Sequence, residues 1–161
     1  MPLNQSALAK DLERILGTKH ASTADAAAAW AKAYQTYAAG ALSTAASLPV
    51  TVAVNATTLV GGFSAGLSAL TSVTAAAIIA QSVTAFWQAM AWLGPTAAGT
   101  TSFPGNAALA GALASVFSDL SGKSAAAKAS DLASAFDAGA KAVVVSDVPF
   151  IPAAAIVGPI M

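Results

Sequence analysis

Apolar residues recur at three- and four-residue spacing through most of this chain, and that periodicity predicts helices. Over residues 4–16 (NQSALAKDLERIL), Leu8, Leu12, Ile15 and Leu16 share one face, with Gly17 placed as a C-cap. Ser22 stands as an N-cap with Asp25 in the first turn, and the helix it opens runs to about Ala46. Trp30, Tyr34 and Tyr37 fall on one stripe of that helix. An aromatic stripe at helical spacing reads first as core or as subunit contact, ahead of a ligand platform. Pro49 ends the segment, and Val50–Val54 is the strongest β-propensity run before the C-terminus.

The pattern from Thr57 to Leu93 predicts one long central helix. Leu59, Phe63, Leu67, Leu70, Thr74 and Ile78 form a ridge, Phe86, Met90 and Leu93 continue an apolar face, and Gly94-Pro95 stops it. A division into two helices at Gly61-Gly62 is the alternative reading. Residues 96–105 (TAAGTTSFPG) are a loop by composition. Asn106 is placed as the cap of a helix reaching Leu120, with Gly122 as its stop, and Ser124 opens a last helix that aligns Leu132, Phe136 and Ala140. The final residues, SDVPFIPAAAIVGPIM, hold three prolines and predict an extended tail that lies across the domain or against a neighbour, because exposed Phe150, Ile151, Ile156 and Ile160 would form a sticky patch. No repeat of fixed period stands out. The fold class expected is all-α: a single domain over residues 1–161, built as an Ala-rich bundle of about four to five helices. Its parts are N-terminal helices within 1–47, the long central helix over 57–93, a helical hairpin over 106–145 and the Pro-rich tail over 146–161.

Composition sharpens this picture. Charged residues make up 9% of the 161, with seven basic and seven acidic side chains, against about 25% in an ordinary soluble domain. A balanced chain offers no electrostatic footprint for nucleic acid, so no nucleic-acid partner is expected. Between Lys32 and Asp119 there is no charged residue at all. Much of the hydrophobicity is alanine, the best helix former and a small contributor of buried area, which predicts helices in close approach. The absence of cysteine excludes disulfides, thiolate metal sites and a cysteine nucleophile. The N-terminus, with Asp11 and Glu13 early and no apolar core, lacks the pattern of a signal peptide.

The one motif that invites chemistry is Gly62-Phe63-Ser64-Ala65-Gly66, a match to the G-x-S-x-G nucleophile elbow. In that fold the histidine follows the serine, whereas the single histidine here, His20, precedes Ser64. The elbow therefore lacks its base, and no enzyme activity, small-molecule substrate or cofactor is expected. Gly62 and Gly66 also form G-x-x-x-G, with Ser64, Ser68, Ser72, Ala76 and Ala80 following at intervals of four. Small residues along a helix face admit a second backbone. That use predicts Gly62 and Gly66 as packing contacts, within the subunit or with another copy, alongside Trp30 and Tyr34 and with Phe150 and Ile151 of the tail. One histidine and no cysteine give no metal site. Asp131 and Asp137 read as solvated positions of the last helix, and Asn55-Ala56-Thr57 matches a glycosylation sequon that means little without a secretory leader.

Residues 73–93 are uncharged and long enough for a bilayer, which takes about 20 residues. Paired with residues 48–70, they give the alternative of a small holin-like or pore-forming protein of the inner membrane. Gln81, Gln88 and the missing basic flanks argue against it.

The segments AAAAWAKAYQTYA, Phe86-Trp87, and LASAFDAGAKAVVV with the proline-rich end resemble a type of small structural protein encoded among phage virion genes. The resemblance is one of pattern and composition and carries no motif that assigns a functional residue. It implies a non-enzymatic subunit of a tail, baseplate, neck or capsid, partnered by other virion subunits, forming a homo-oligomer, and located in the virion.

Overall fold

The computed structural model describes residues 3–41, 50–51, 56–93, 97–119, 121–149 and 156–159. Among them are six helices, α1 (Gln5–Leu16), α2 (Thr23–Ala38), α3 (Ala56–Leu67), α4 (Ser72–Gln88), α5 (Asn106–Ser118) and α6 (Ala125–Lys141). Five short strands accompany them: β1 (Val50–Thr51), β2 (Ala91–Leu93), β3 (Ala97–Ser102), β4 (Val144–Pro149) and β5 (Ile156–Pro159). The fold is mostly helical, as the periodicity predicts. It is not purely so, because the strands form one antiparallel sheet in the order β1-β2-β3-β4-β5.

The stretch read as a loop over 96–105 holds strand β3, and α2 ends at Ala38 and not near Ala46; two larger expectations are also corrected. The long central helix does not exist: residues 57–93 fold as α3, a turn at 68–71, α4 and strand β2. The break lies beyond Gly61-Gly62, at Thr71, which leaves the helical region (φ −129°, ψ 149°) and whose hydroxyl accepts the Thr74 amide as an N-cap. A single 37-residue rod would span about 55 Å at 1.5 Å per residue and leave its apolar ridge without cover. Folding back lets the two halves cover each other. The second correction concerns the tail, of which residues 146–149 belong to β4 and 156–159 to β5, antiparallel to it. Phe150 and Ile151 lie outside the described residues.

Superposed on this architecture is a threefold internal repeat. Each of the hairpins α1–α2, α3–α4 and α5–α6 joins a shorter helix to a longer one of near-constant length. Leu8, Leu59 and Leu109 are each the fourth residue of their first helix, and all are buried. Leu12, Phe63 and Leu113 occupy the next inward position, also buried. The second helices open on Ser22, Thr71 and Ser124, whose side chains each accept a backbone amide three residues on. Counted from those caps, the same positions face inward in all three, as in Trp30, Ile79 and Leu132, or in Tyr34, Val83 and Phe136.

The helices close a ring. Each hairpin packs on itself, while α2 packs on α3, α4 on α5, and α6 returns to α1. The strands follow from this: a hairpin returns the chain to where it started, so the strand entering and the strand leaving become antiparallel neighbours. β1 and β2 flank α3–α4 in this way, and β3 and β4 flank α5–α6. Inside the ring lies an aromatic cluster in which Tyr34 meets Phe136 at 5.1 Å and Phe86 at 5.8 Å, and Trp30 meets Phe63 edge-on at 6.1 Å. Each such buried ring contributes about 1.5–3 kcal/mol.

Candidate functional site

The residues singled out in the sequence are found mostly inside the chain. Trp30 and Tyr34 belong to the core. Gly62 and Gly66 sit on the side of α3 that faces α4. A Cβ at Gly62 would collide with the Ser82 side chain, and one at Gly66 would come within 2.5 Å of Ile79 Cγ1. The close approach that G-x-x-x-G predicts is thus made to the neighbouring helix of the same hairpin. Ser64 lies in mid-helix, on α3, where its carbonyl accepts the Ser68 amide, and not at a strand-to-helix turn. The imidazole of His20 donates from Nε2 to the Ile15 carbonyl at 3.1 Å, which fixes the α1–α2 turn.

Asp137 is a residue that sequence reasoning placed wrongly. Its side chain is 7% exposed. The Tyr37 hydroxyl donates to Oδ1 at 2.7 Å, and Lys141 Nζ lies 2.7 Å from Oδ2. A buried carboxylate is tolerated when its lone pairs are met in this way. Burial, with the Asp137 bond second, pushes the Tyr37 phenol far above its ordinary range. Tyr34, fully buried, is raised as well by desolvation, although the Trp87 indole donates to its oxygen at 2.8 Å. A cleft of about 520 Å³ opens beside this cluster, between the start of α1, the end of α2 and α6. The threefold repeat gives Asp137 a counterpart in Thr84, both thirteen residues after their caps. Thr84 accepts Asn106 Nδ2 across the α4–α5 seam at 2.6 Å. Asn106 is therefore a seam residue, while Gly105 holds the cap position without a side-chain bond. At the α6–α1 seam the carboxylate turns inward to Tyr37, and the cleft stays open.

A second recess, of about 290 Å³, lies on the axis of the ring at the end where the helical hairpins turn. All six helices reach it. Leu16, Leu67 and Phe117, the last or penultimate residues of the three first helices, line its walls, and Trp30, Ile79 and Leu132 its floor. At its rim stands Leu70, 100% exposed, with Val73 in the first turn of α4 at 67%. The corresponding positions of the other hairpins carry small or charged residues: Ala21 and Lys123 for Leu70, Ala24 and Ala126 for Val73. Lys123 is tied to Asp119 at 2.7 Å and Asp131 at 2.8 Å, and these hydrogen bonds push its ammonium up to about 12.

Among the described residues no group of histidine, aspartate and glutamate is placed to hold a metal ion. None of the helices among them is long and apolar enough to cross a membrane. The proposed span over 73–93 is interrupted where α4 ends at Gln88 and β2 begins at Ala91. Comparison with family models, with curated proteins and with solved structures finds no match.

Proposed function

We propose that the chain is a non-enzymatic structural subunit of a phage particle or a related assembly, in the tail, baseplate, neck or capsid, working through contacts with other protein subunits. The observation that carries this reading is the outward surface of α3, α4 and α5. It presents Gly61, Ala65, Ala77, Ala85 and Gly111 to solvent without a charge, and it carries the fully exposed Leu70. Small uncharged side chains favour close approach of another protein and are a poor coat for a free monomer. The pattern resemblance to small virion proteins points the same way. Density-purified particles analysed by mass spectrometry are expected to contain the chain at a fixed stoichiometry. Its absence from particles, with sedimentation in a carbonate-resistant membrane fraction, would overturn the reading.

A further inference from the structure

We infer that the turn end of the helical ring docks a second copy of this chain, with Leu70 of each copy entering the axial recess of the other. The inference names a surface and a partner for the assembly role, and for its purpose it rests on that role. The contact itself is a property of the isolated protein.

Three observations point to this occupant. The recess is apolar in its walls and floor, from Leu16, Leu67 and Phe117 down to Trp30, Ile79 and Leu132. At about 290 Å³ it falls at the low edge of pockets that hold drug-sized ligands, and it matches one or two aliphatic side chains. Beside it the 68–71 turn projects Leu70, wholly exposed, and the first turn of α4 adds Val73. Protrusion and recess therefore adjoin on one surface, and a twofold axis between them seats both protrusions at once in an isologous contact.

Self-complementarity of protrusion and recess selects a copy as the partner, and the charge pattern admits one. Identical surfaces meeting across a twofold place like charges near like, and a charged face would repel itself. The α3–α4 hairpin, which carries the protrusion, has no charged residue, since none occurs between Lys32 and Asp119. On the neighbouring α5–α6 turn, Lys123 is paired within its own chain to Asp119 and Asp131. The hairpin that carries the protrusion thus meets its copy without like-charge repulsion. The threefold repeat supports the same conclusion, because Leu70 and Val73 depart from their counterparts Ala21, Lys123, Ala24 and Ala126 toward the apolar on one hairpin alone. Leu70 is wholly exposed, and no contact among the described residues requires a leucine there.

Sedimentation velocity of the full chain from about 5 to 200 µM tests the inference. The 15.6 kDa monomer is expected to move towards twice that mass as concentration rises. Leu70→Asp and, independently, Val73→Asp are expected to weaken the association at least tenfold while leaving circular dichroism and thermal midpoint near wild type. A wild-type chain that stays monomeric at 200 µM overturns the inference, as does a dimer that survives both substitutions. So does a monomer whose recess takes up a fluorescent fatty acid, which would make the occupant a lipid chain. Presence in purified particles is scored separately, so a failed dimer and a failed particle assignment are distinguishable.

Discussion

Gly61 and Gly62 are adjacent in sequence and opposite in consequence. Gly61 points to solvent with nothing near its missing Cβ, whereas Gly62 leaves only enough room for the Ser82 side chain. Gly61→Ala is expected to stabilise the protein by about 0.5–1 kcal/mol through helix propensity. Gly62→Ala is expected to destabilise it by about 1–3 kcal/mol through overpacking. Urea unfolding of the two variants checks this, and equal effects of the same sign would remove the close α3–α4 contact from the account. The two tyrosines give a second test. Both phenols are raised in the folded protein, chiefly by burial, while the unfolded chain ionises near pH 10. A raised folded pKa contributes stability that is complete below the unfolded pKa and lost as pH climbs past it. Stability is therefore expected to fall above about pH 10. Absorbance at 295 nm should show no phenolate until the protein unfolds, and a smooth titration of the native protein near pH 10 would contradict the burial of Tyr34 and Tyr37. Lys123 acts in the same direction, though its exposure makes the contribution small.

At the scale of elements, the helices were legible where an apolar stripe coincided with a cap. Ser22 and Ser124 announced α2 and α6, and both cap as read. The turn at 68–71 was not legible. Thr71 and Thr74 hold the cap bond, but serine and threonine recur throughout this apolar run and none stands apart. β1 falls within the β-propensity run over 50–54, whereas β3 and β4 escaped for a related reason. β3 reads AAGTTS and β4 contains Pro149, so neither shows the β-branched alternation by which a strand is recognised. They pair because the hairpins bring their ends together, which is a property of topology and not of propensity. The burial of Asp137 was hidden by distance, since its partner Tyr37 is 100 residues away. The turn makes a prediction of its own. Inserting three residues after Ala69 lengthens a loop, and its entropic cost is expected to stay below about 1 kcal/mol. In one continuous helix the same insertion would rotate the apolar ridge by about 300° at 3.6 residues per turn and unfold the hairpin. Thermal melts of the insertion variant separate the two.

For the whole molecule, the threefold repeat was invisible in sequence because most equivalent positions share burial and not identity, and those that coincide are leucine or alanine, which recur throughout the chain. Trp30, Ile79 and Leu132 do one job with three shapes, as do Tyr34, Val83 and Phe136, and few identities coincide: the leucines at 8, 59 and 109, and the alanines at 27, 76 and 129 and at 31, 80 and 133. A core filled by unlike residues at like positions still packs, provided total volume is kept. That same substitution of large for small lets the three seams differ, with Thr84 and Asn106 closing one and Asp137 facing a cleft at another.

The closing contact of the ring, α6 on α1, also imposes an order of events on the growing polypeptide. Leu8 and Leu12 leave the ribosome early, and the helix that covers them begins at Ala125. At about 5–20 residues per second the wait is on the order of ten seconds. Through that interval the leucine face of α1 is open to chaperones. Nascent chains arrested near residue 93 should be bound by a general holdase, and those arrested after the last strand has emerged should be released. Equal binding at both arrest points would mean that the first hairpins bury their faces without the seam.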